Sequence, residues 1–186
     1  MGFQLETEAR RFWVDLAERF AKFGLELHPE KTRLLEFGRY AVQSRERKGR
    51  GKPETFDFLG FTHVCGKSRE GKFLLLRLTS RKRLRSKLSE VKAELRRRRH
   101  DPVPEVGKWL RAVVQGHINY YGVPLNTTAL YTFVFHVVRR WRRALQRRSQ
   151  KSRTTTPRMR SSLIERWLPR VRVVHPYPSQ RLGLRT

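Results

Sequence analysis

Two runs of guanidinium groups dominate the chemistry open to this chain. Arg96-Arg97-Arg98-Arg99 is the first; Arg139, Arg140, Arg142, Arg143, Arg147 and Arg148 form the second, continued by Lys151 and Arg153 with no acid between. Such groups grip phosphates, as bidentate forks or point charges, and release counterions as they do so. Arg81, Lys82 and Arg85 precede the first run, and Lys31 and Arg33 stand apart in "GLELHPEKTRLLEFG", residues 24–38. Tyr120, Tyr121, Tyr131 and Trp141 interleave with the charge. Rings on a helix face are core packing before they are platforms for bases, and Trp109, Phe133 and Trp141 are expected in a core. Phe58 and Gly60 complete the candidates; a glycine inside that apolar run marks a bulge or a close backbone approach. Metal and thiol chemistry has little material. One cysteine, Cys65, excludes an internal disulfide and any zinc site built on Cys pairs, and the six histidines show no ligand spacing. His63-x-Cys65 offers two ligands, and reads as one face of a strand. No metal site is expected.

The balance of the whole chain points the same way. Lys and Arg number 43 against 16 Asp and Glu in 186 residues, a net charge of +27. Self-repulsion on that scale opposes compaction, so a polyanion is the simplest partner. With 38% hydrophobic and 11% aromatic residues the chain is no simple basic tail. No apolar run approaches the ~20 residues that span a bilayer, and the N-terminal stretch reads as an acid-bearing amphipathic helix rather than a signal peptide. A soluble cytoplasmic protein with no membrane partner is expected. Charge alone does not separate RNA from DNA.

The elements that must position these residues follow from periodicity. Ala9, Phe12, Trp13, Leu16, Phe20 and Phe23 recur at helical spacing over 5–23, and Gly24 suits the C-cap. Thr32 to Phe37 reads as a strand. Residues 39–55 read as an exposed loop, either facing nucleic acid or a plain linker. Residues 56–80 carry the strongest β signal, two apolar runs flanking Gly66 to Gly71 as a hairpin. The period then turns helical: 81–98 with Thr79 or Ser80 as cap, 105–121 ended by Gly122 and Pro124, and 127–148 capped by Asn126. Three helices with short breaks favour a small bundle. In the tail, a short helix is expected near 158–167, and "HPYPSQRLGLRT" is expected to be extended.

In this order the blocks resemble the C-terminal half of a bacterial group II intron reverse transcriptase/maturase. "GLELHPEKTRLLEFG" is similar to the palm segment after the catalytic hairpin, and "GKPETFDFLGFTH" to the primer-gripping hairpin. "VVQGHINYYGVPLN" and "WRRALQRRSQKSR" are similar to the maturase-specific thumb, and "RWLPRVRVVHPYPSQRLGLRT" to the family's C-terminal end. The likeness covers nearly the whole chain. It implies an α+β fold: the end of a polymerase palm over 1–79, a three-helix thumb over 80–150 and an irregular basic tail over 151–186. It implies intron RNA and a template–primer duplex as partners, splicing and retrohoming as the activity of the intact protein, and Mg²⁺ as the cofactor of the intact polymerase.

The family's Tyr-Ala-Asp-Asp box, whose carboxylates hold two metal ions, would lie just before "GFQLETEARRF"; Met1 stands where it should just have ended, and no Asp-Asp pair occurs in the chain. A fragment without catalytic residues or cofactor of its own is therefore expected. Lys31 matches a palm lysine that related polymerases use near the incoming triphosphate, and otherwise is a surface lysine. Phe58 and Gly60 match the primer grip, where Gly60 would let nucleic-acid backbone come close. A stand-alone basic RNA-binding protein shares the helices but does not need the palm blocks. A fragment complementing a separate N-terminal polymerase half would show an uncovered apolar face on 5–23 and on the hairpin.

Overall fold

A computed structural model describes residues 1–148 and 163–177. Among these the fold is mixed α+β, with six helices and one three-stranded antiparallel sheet. The chain forms two compact units, 1–54 and 55–177 of the described residues.

The first unit holds α1 (Glu6–Ala21) and α2 (Ala41–Arg47). The end of α1 is a Schellman turn. Gly24 takes φ +66°, the Leu25 N–H donates to the Phe20 carbonyl and the Gly24 N–H to that of Ala21, both at 3.0 Å. The strand expected over Thr32 to Phe37 is not formed: these residues carry no helix or strand and pair with no described strand. The loop expected over 39–55 contains α2, whose Ser44 hydroxyl donates to Glu36 and anchors the helix to that segment. Ala9 and Ala41 are the buried apolar residues of this unit, so its core is slight.

The second unit opens with β1 (Phe56–Phe58), β2 (Phe61–Lys67) and β3 (Phe73–Thr79), in the order β1-β2-β3. The expected hairpin is β2–β3, closed by a turn in which the Ser68 hydroxyl accepts from the Glu70 and Lys72 N–H groups. Strand β1 adds a second, tighter hairpin. Phe58 pairs with Phe61 across Leu59 and Gly60, at φ +48° and +78°. Positive φ at both central residues is the type I′ turn that matches strand twist. Gly60 is thus a turn residue, and the bulge reading is corrected.

Three helices follow, α3 (Arg81–Arg97), α4 (Val103–Tyr121) and α5 (Thr127–Gln146). Their apolar stripes meet in one core: Leu88, Val91 and Leu95 of α3, Val106, Leu110, Val114 and Ile118 of α4, and Phe133, Val137, Trp141 and Leu145 of α5. Spacings of three and four put each set on one face, and each fully buried side chain contributes about 1.5–3 kcal/mol. The helices run up, down, up, so α3 and α5 are parallel.

The two N-cap expectations fail in an informative way. The Ser80 hydroxyl donates to Asp57 at 3.1 Å instead of capping α3. Asn126 caps nothing with its side chain; buried, its Oδ1 accepts from the Thr79 N–H at 3.0 Å while its Nδ2 donates to the Thr79 hydroxyl and the Tyr121 carbonyl, each at 2.9 Å. Both residues tie the sheet to the helices, a stronger demand on a buried polar group than a helix end open to water. The expected boundary at 79/80 runs through this joint.

The described part of the tail also joins the core. A short helix, α6 (Glu165–Trp167), lies within the region expected to be helical, whose first residues, 158–162, lie outside the described ones. Leu168 is buried in the bundle core, and Trp167 lies so close over α4 that a β-carbon on Gly107 would stand 2.6 Å from its ring. The Val174 and His175 N–H groups donate to the Gly122 carbonyl at 2.7 and 3.0 Å. Of the segment expected to be extended, residues 175–177 are described and carry no helix or strand.

Candidate nucleic-acid interface

The parallel run of α3 and α5 decides where the charge goes. Both helices end at one pole of the bundle, where the Arg148 guanidinium donates to the Arg98 carbonyl at 3.4 Å. Unpaired carbonyls make helix C-termini partly negative, so cations are favoured there. Along this pole and up its flank a groove of about 380 Å³ separates the two helices. Lys92, Arg96 and Arg99 line one wall, and Arg139, Arg140, Arg143 and Arg147 the other, with Leu95 and Ala144 between them and no acid among the lining residues.

The first arginine run divides by role within one turn. Arg97 and Arg98 grip Glu94 at 2.7 and 2.5 Å, and their hydrogen bonds hold its carboxyl down to about 2. Arg98 also reaches Asp101 at 3.5 Å and lies over the Trp109 ring at 5.3 Å. Arg96 and Arg99 are left to the groove. In the second run, Arg139 and Arg143 of α5 and Arg147 at its C-cap recur every four residues, and Arg140 lies beside them. Arg140 is half-buried; burial first, then Arg143 and Arg139, press its guanidinium below the usual arginine range. Its Nη1 donates to the His136 carbonyl at 3.1 Å, and its buried Nε has no partner among the described residues. The groove thus gathers seven cationic side chains with no acid among its lining residues.

The other expected contacts are distributed differently. Arg142 is half-buried outside the groove lining, and Arg148 is engaged by the Arg98 carbonyl. Arg81, Lys82 and Arg85 are exposed at the start of α3, whose first turn holds no acid. Cations there oppose the positive end of the helix dipole, a cost that a bound anion removes. Phe58 is exposed on β1, tilted against His63 at 6.3 Å. The space at Gly60 is filled from within, since a β-carbon there would stand 2.7 Å from the Tyr121 hydroxyl. Lys31 and Arg33 are exposed in the first unit, Lys31 in a turn after His28 and Arg33 on the segment that follows it.

Sequence reasoning named Arg96 and Arg99 only as members of the first arginine run, without separating them from Arg97 and Arg98, and did not single out Lys92 or His136. Their signal was present in the phase of α3: Lys92, Arg96 and Arg99 share a face adjoining the Leu88–Leu95 stripe. Trp141 and Phe133 are fully buried, as expected, and Trp109 is half-buried against the core. His63 and Cys65 both lie on β2, where His63 stacks on Phe56 at 4.8 Å. Among the described residues no group of three or more His, Cys, Asp or Glu could hold a metal ion, and no helix is long and apolar enough to cross a membrane. No protein-family model, curated protein or solved structure matches the chain.

Proposed function

We propose that this chain binds RNA, seating a phosphate backbone in the α3–α5 groove, as the thumb end of a group II intron reverse transcriptase/maturase. The observation that carries the reading is the groove itself, where seven cationic side chains from two parallel helices meet with no acid among the lining residues. The order of the sequence blocks supplies the family. On this reading β1–β3 are the last hairpins of the palm, α3–α5 are the thumb, and the partners are intron RNA and a template–primer duplex. Mg²⁺ belongs to the intact polymerase and not to these residues.

The test is a salt titration of RNA binding by fluorescence anisotropy. With six or more phosphates neutralised, affinity falls about 10³-fold or more between 50 and 200 mM salt. Replacing Arg139, Arg143 and Arg147 with Gln lowers the slope of log K against log salt by about 2–3, close to one per lost contact. A salt-independent affinity, or an unchanged slope in the triple variant, overturns the reading. A DNA duplex of the same sequence, lacking the 2′-hydroxyls, is expected to bind more weakly.

A second reading is favoured by one observation. Phe3, Leu5, Val14, Phe23, Leu25 and Tyr40 of the first unit are all exposed, more apolar surface than so small a unit leaves open. We infer that a separate polypeptide, such as a complementing polymerase half, covers it. Co-purification of one defined partner, lost on Phe23→Asp with Leu25→Asp, supports this; recovery of the chain alone from its native cells opposes it.

A further inference from the structure

The opposite flank of α3 holds a second groove of different chemistry, of about 430 Å³, between α3 and α4. Arg83, Lys87 and the acid Glu90 stand on one wall, Arg83 and Lys87 one turn apart; Gly116, His117, Tyr120 and Tyr121 form the other. The volume suits a small ligand. Three features give it direction.

Tyr120 is 50% exposed yet fixed at both ends. Its hydroxyl donates to the Leu59 carbonyl at 2.7 Å, and its ring stacks on Phe61 at 5.8 Å with an interplanar angle of 18°. A flat ring already held in place offers stacking at low entropic cost. The turn that holds it is unusual, for Leu59 is non-glycine at φ +48° and 67% exposed. Strain and exposed apolar surface at one place accompany function more than stability.

The charges face the same space. Arg83 has no carboxylate partner among the described residues, while Lys87 is shared with Glu90 at 2.9 Å. Burial, then Tyr120, pushes the Tyr121 hydroxyl up, and Arg83 draws it back; burial holds His117 down, and Lys87 adds to this. Both cations are therefore felt on α4. The α4 wall is open where they reach, since nothing lies within 4 Å of the position of a Gly116 β-carbon. Below, His117 is 7% exposed, and its Nε2 has no partner among the described residues.

We propose that the α3–α4 groove binds one unstacked nucleotide, its base on Tyr120 and its phosphate between Arg83 and Lys87. The same chemistry is presented by a free nucleotide and by a single nucleotide turned out of an RNA strand. The site stands on residues separate from the α3–α5 groove, so either can fail alone.

The test uses the full chain at 50 mM salt. AMP, ribose 5-phosphate and inorganic phosphate are titrated by calorimetry, and an RNA hairpin with one bulged nucleotide is compared with its fully paired counterpart by anisotropy. Gly116→Leu fills the groove from its open wall and leaves the core untouched; Tyr120→Phe keeps the ring, and Tyr120→Leu removes it. For a free nucleotide, AMP binds at least tenfold tighter than ribose 5-phosphate. Gly116→Leu and Tyr120→Leu weaken it tenfold or more, and Tyr120→Phe does so less than threefold. For a nucleotide within a strand, the bulged hairpin binds at least fivefold tighter than the paired one, and Gly116→Leu abolishes that preference while Arg139→Gln with Arg143→Gln weakens both hairpins equally. AMP no tighter than ribose 5-phosphate, together with no bulge preference, overturns the proposal. So does a preference of either kind that survives Gly116→Leu.

Discussion

Leu59 occupies a position that the type I′ turn reserves for residues tolerant of left-handed backbone. At φ +48° its β-carbon crowds the following carbonyl, and its exposed side chain recovers little by packing. Leu59→Asn creates the favoured Asn-Gly pair and keeps the carbonyl that Tyr120 uses. It is expected to raise stability by about 1 kcal/mol, measured by urea unfolding. His117 makes the opposite demand. Its ring stacks on Phe133 at 3.7 Å and lies 4.6 Å from Tyr121, and burial first, then Lys87, holds its pKa down to about 4. The unfolded imidazole titrates near 6.5, so between there and 4 the unfolded state binds the extra proton. Stability is therefore intact at pH 7 and lost as pH falls through that window, by about 2–3 kcal/mol after allowing for partial solvent screening. His117→Phe should flatten this part of the urea-unfolding profile between pH 7 and 4; an unchanged slope would place the titration elsewhere. Neither property was legible in the sequence. Leu59 reads as one more apolar residue in a β run, and His117 as an ordinary position on an amphipathic helix, until the turn and the Phe133 stack are known.

At the scale of elements, periodicity carries far where a segment has a face to bury. The helices α3, α4 and α5 fall within a residue or two of their expected spans because their stripes at three and four admit one reading. It fails where the deciding partner is elsewhere in the chain. Thr32–Phe37 has strand composition but no ladder, and α2 lies in a stretch with no apolar period to announce it. Strand β1 was hidden by Gly60, which divides "FDFLGF" into two strands rather than bulging one. The groove was half legible. Charge runs showed that α3 and α5 are basic, but only their parallel packing shows that Arg96 and Arg99 face Arg139 and Arg143 while Arg97 and Arg98 do not. The tail was legible as apolar over Leu163 to Leu168, and not as part of the core. Trp167 settles that, since the ring lies where α4 has no side chain. Gly107→Ala would push a methyl group into the indole. The loss expected is about 1–3 kcal/mol in urea unfolding, with Trp167 fluorescence shifting to the red as the ring becomes exposed. Unchanged stability and emission would mean that α6 is not held by this contact.

For the whole molecule, the excess of positive charge sets two salt dependences of opposite sign. The net charge of +27 repels itself in the folded chain, most sharply where Arg140 lies half-buried beside Arg139 and Arg143. Screening relieves that repulsion: the Debye length falls from about 14 Å near 50 mM salt to about 4 Å near 500 mM, which is inside the spacing of neighbouring guanidinium groups. The unfolded chain carries the same charges farther apart and gains less. Raising NaCl from 50 to 500 mM is therefore expected to stabilise the free protein by about 1–2 kcal/mol, roughly 2–8 °C in Tm for a chain of this size. If the groove binds RNA as proposed, affinity is expected to fall over the same range, because counterions then compete for the same cations. One cluster should govern both effects. Replacing Arg139, Arg143 and Arg147 with Gln should raise Tm at low salt, shrink its rise with NaCl and flatten the salt dependence of RNA binding together. If the triple variant changes the binding slope while the Tm response to salt stays as it was, the repulsion is spread over the whole surface and the groove holds no special share of it. If Tm falls as salt is added, the ion pairs of Glu6, Glu36, Glu90 and Glu94 together outweigh the repulsion, and the charge imbalance is not what limits the stability of this fold.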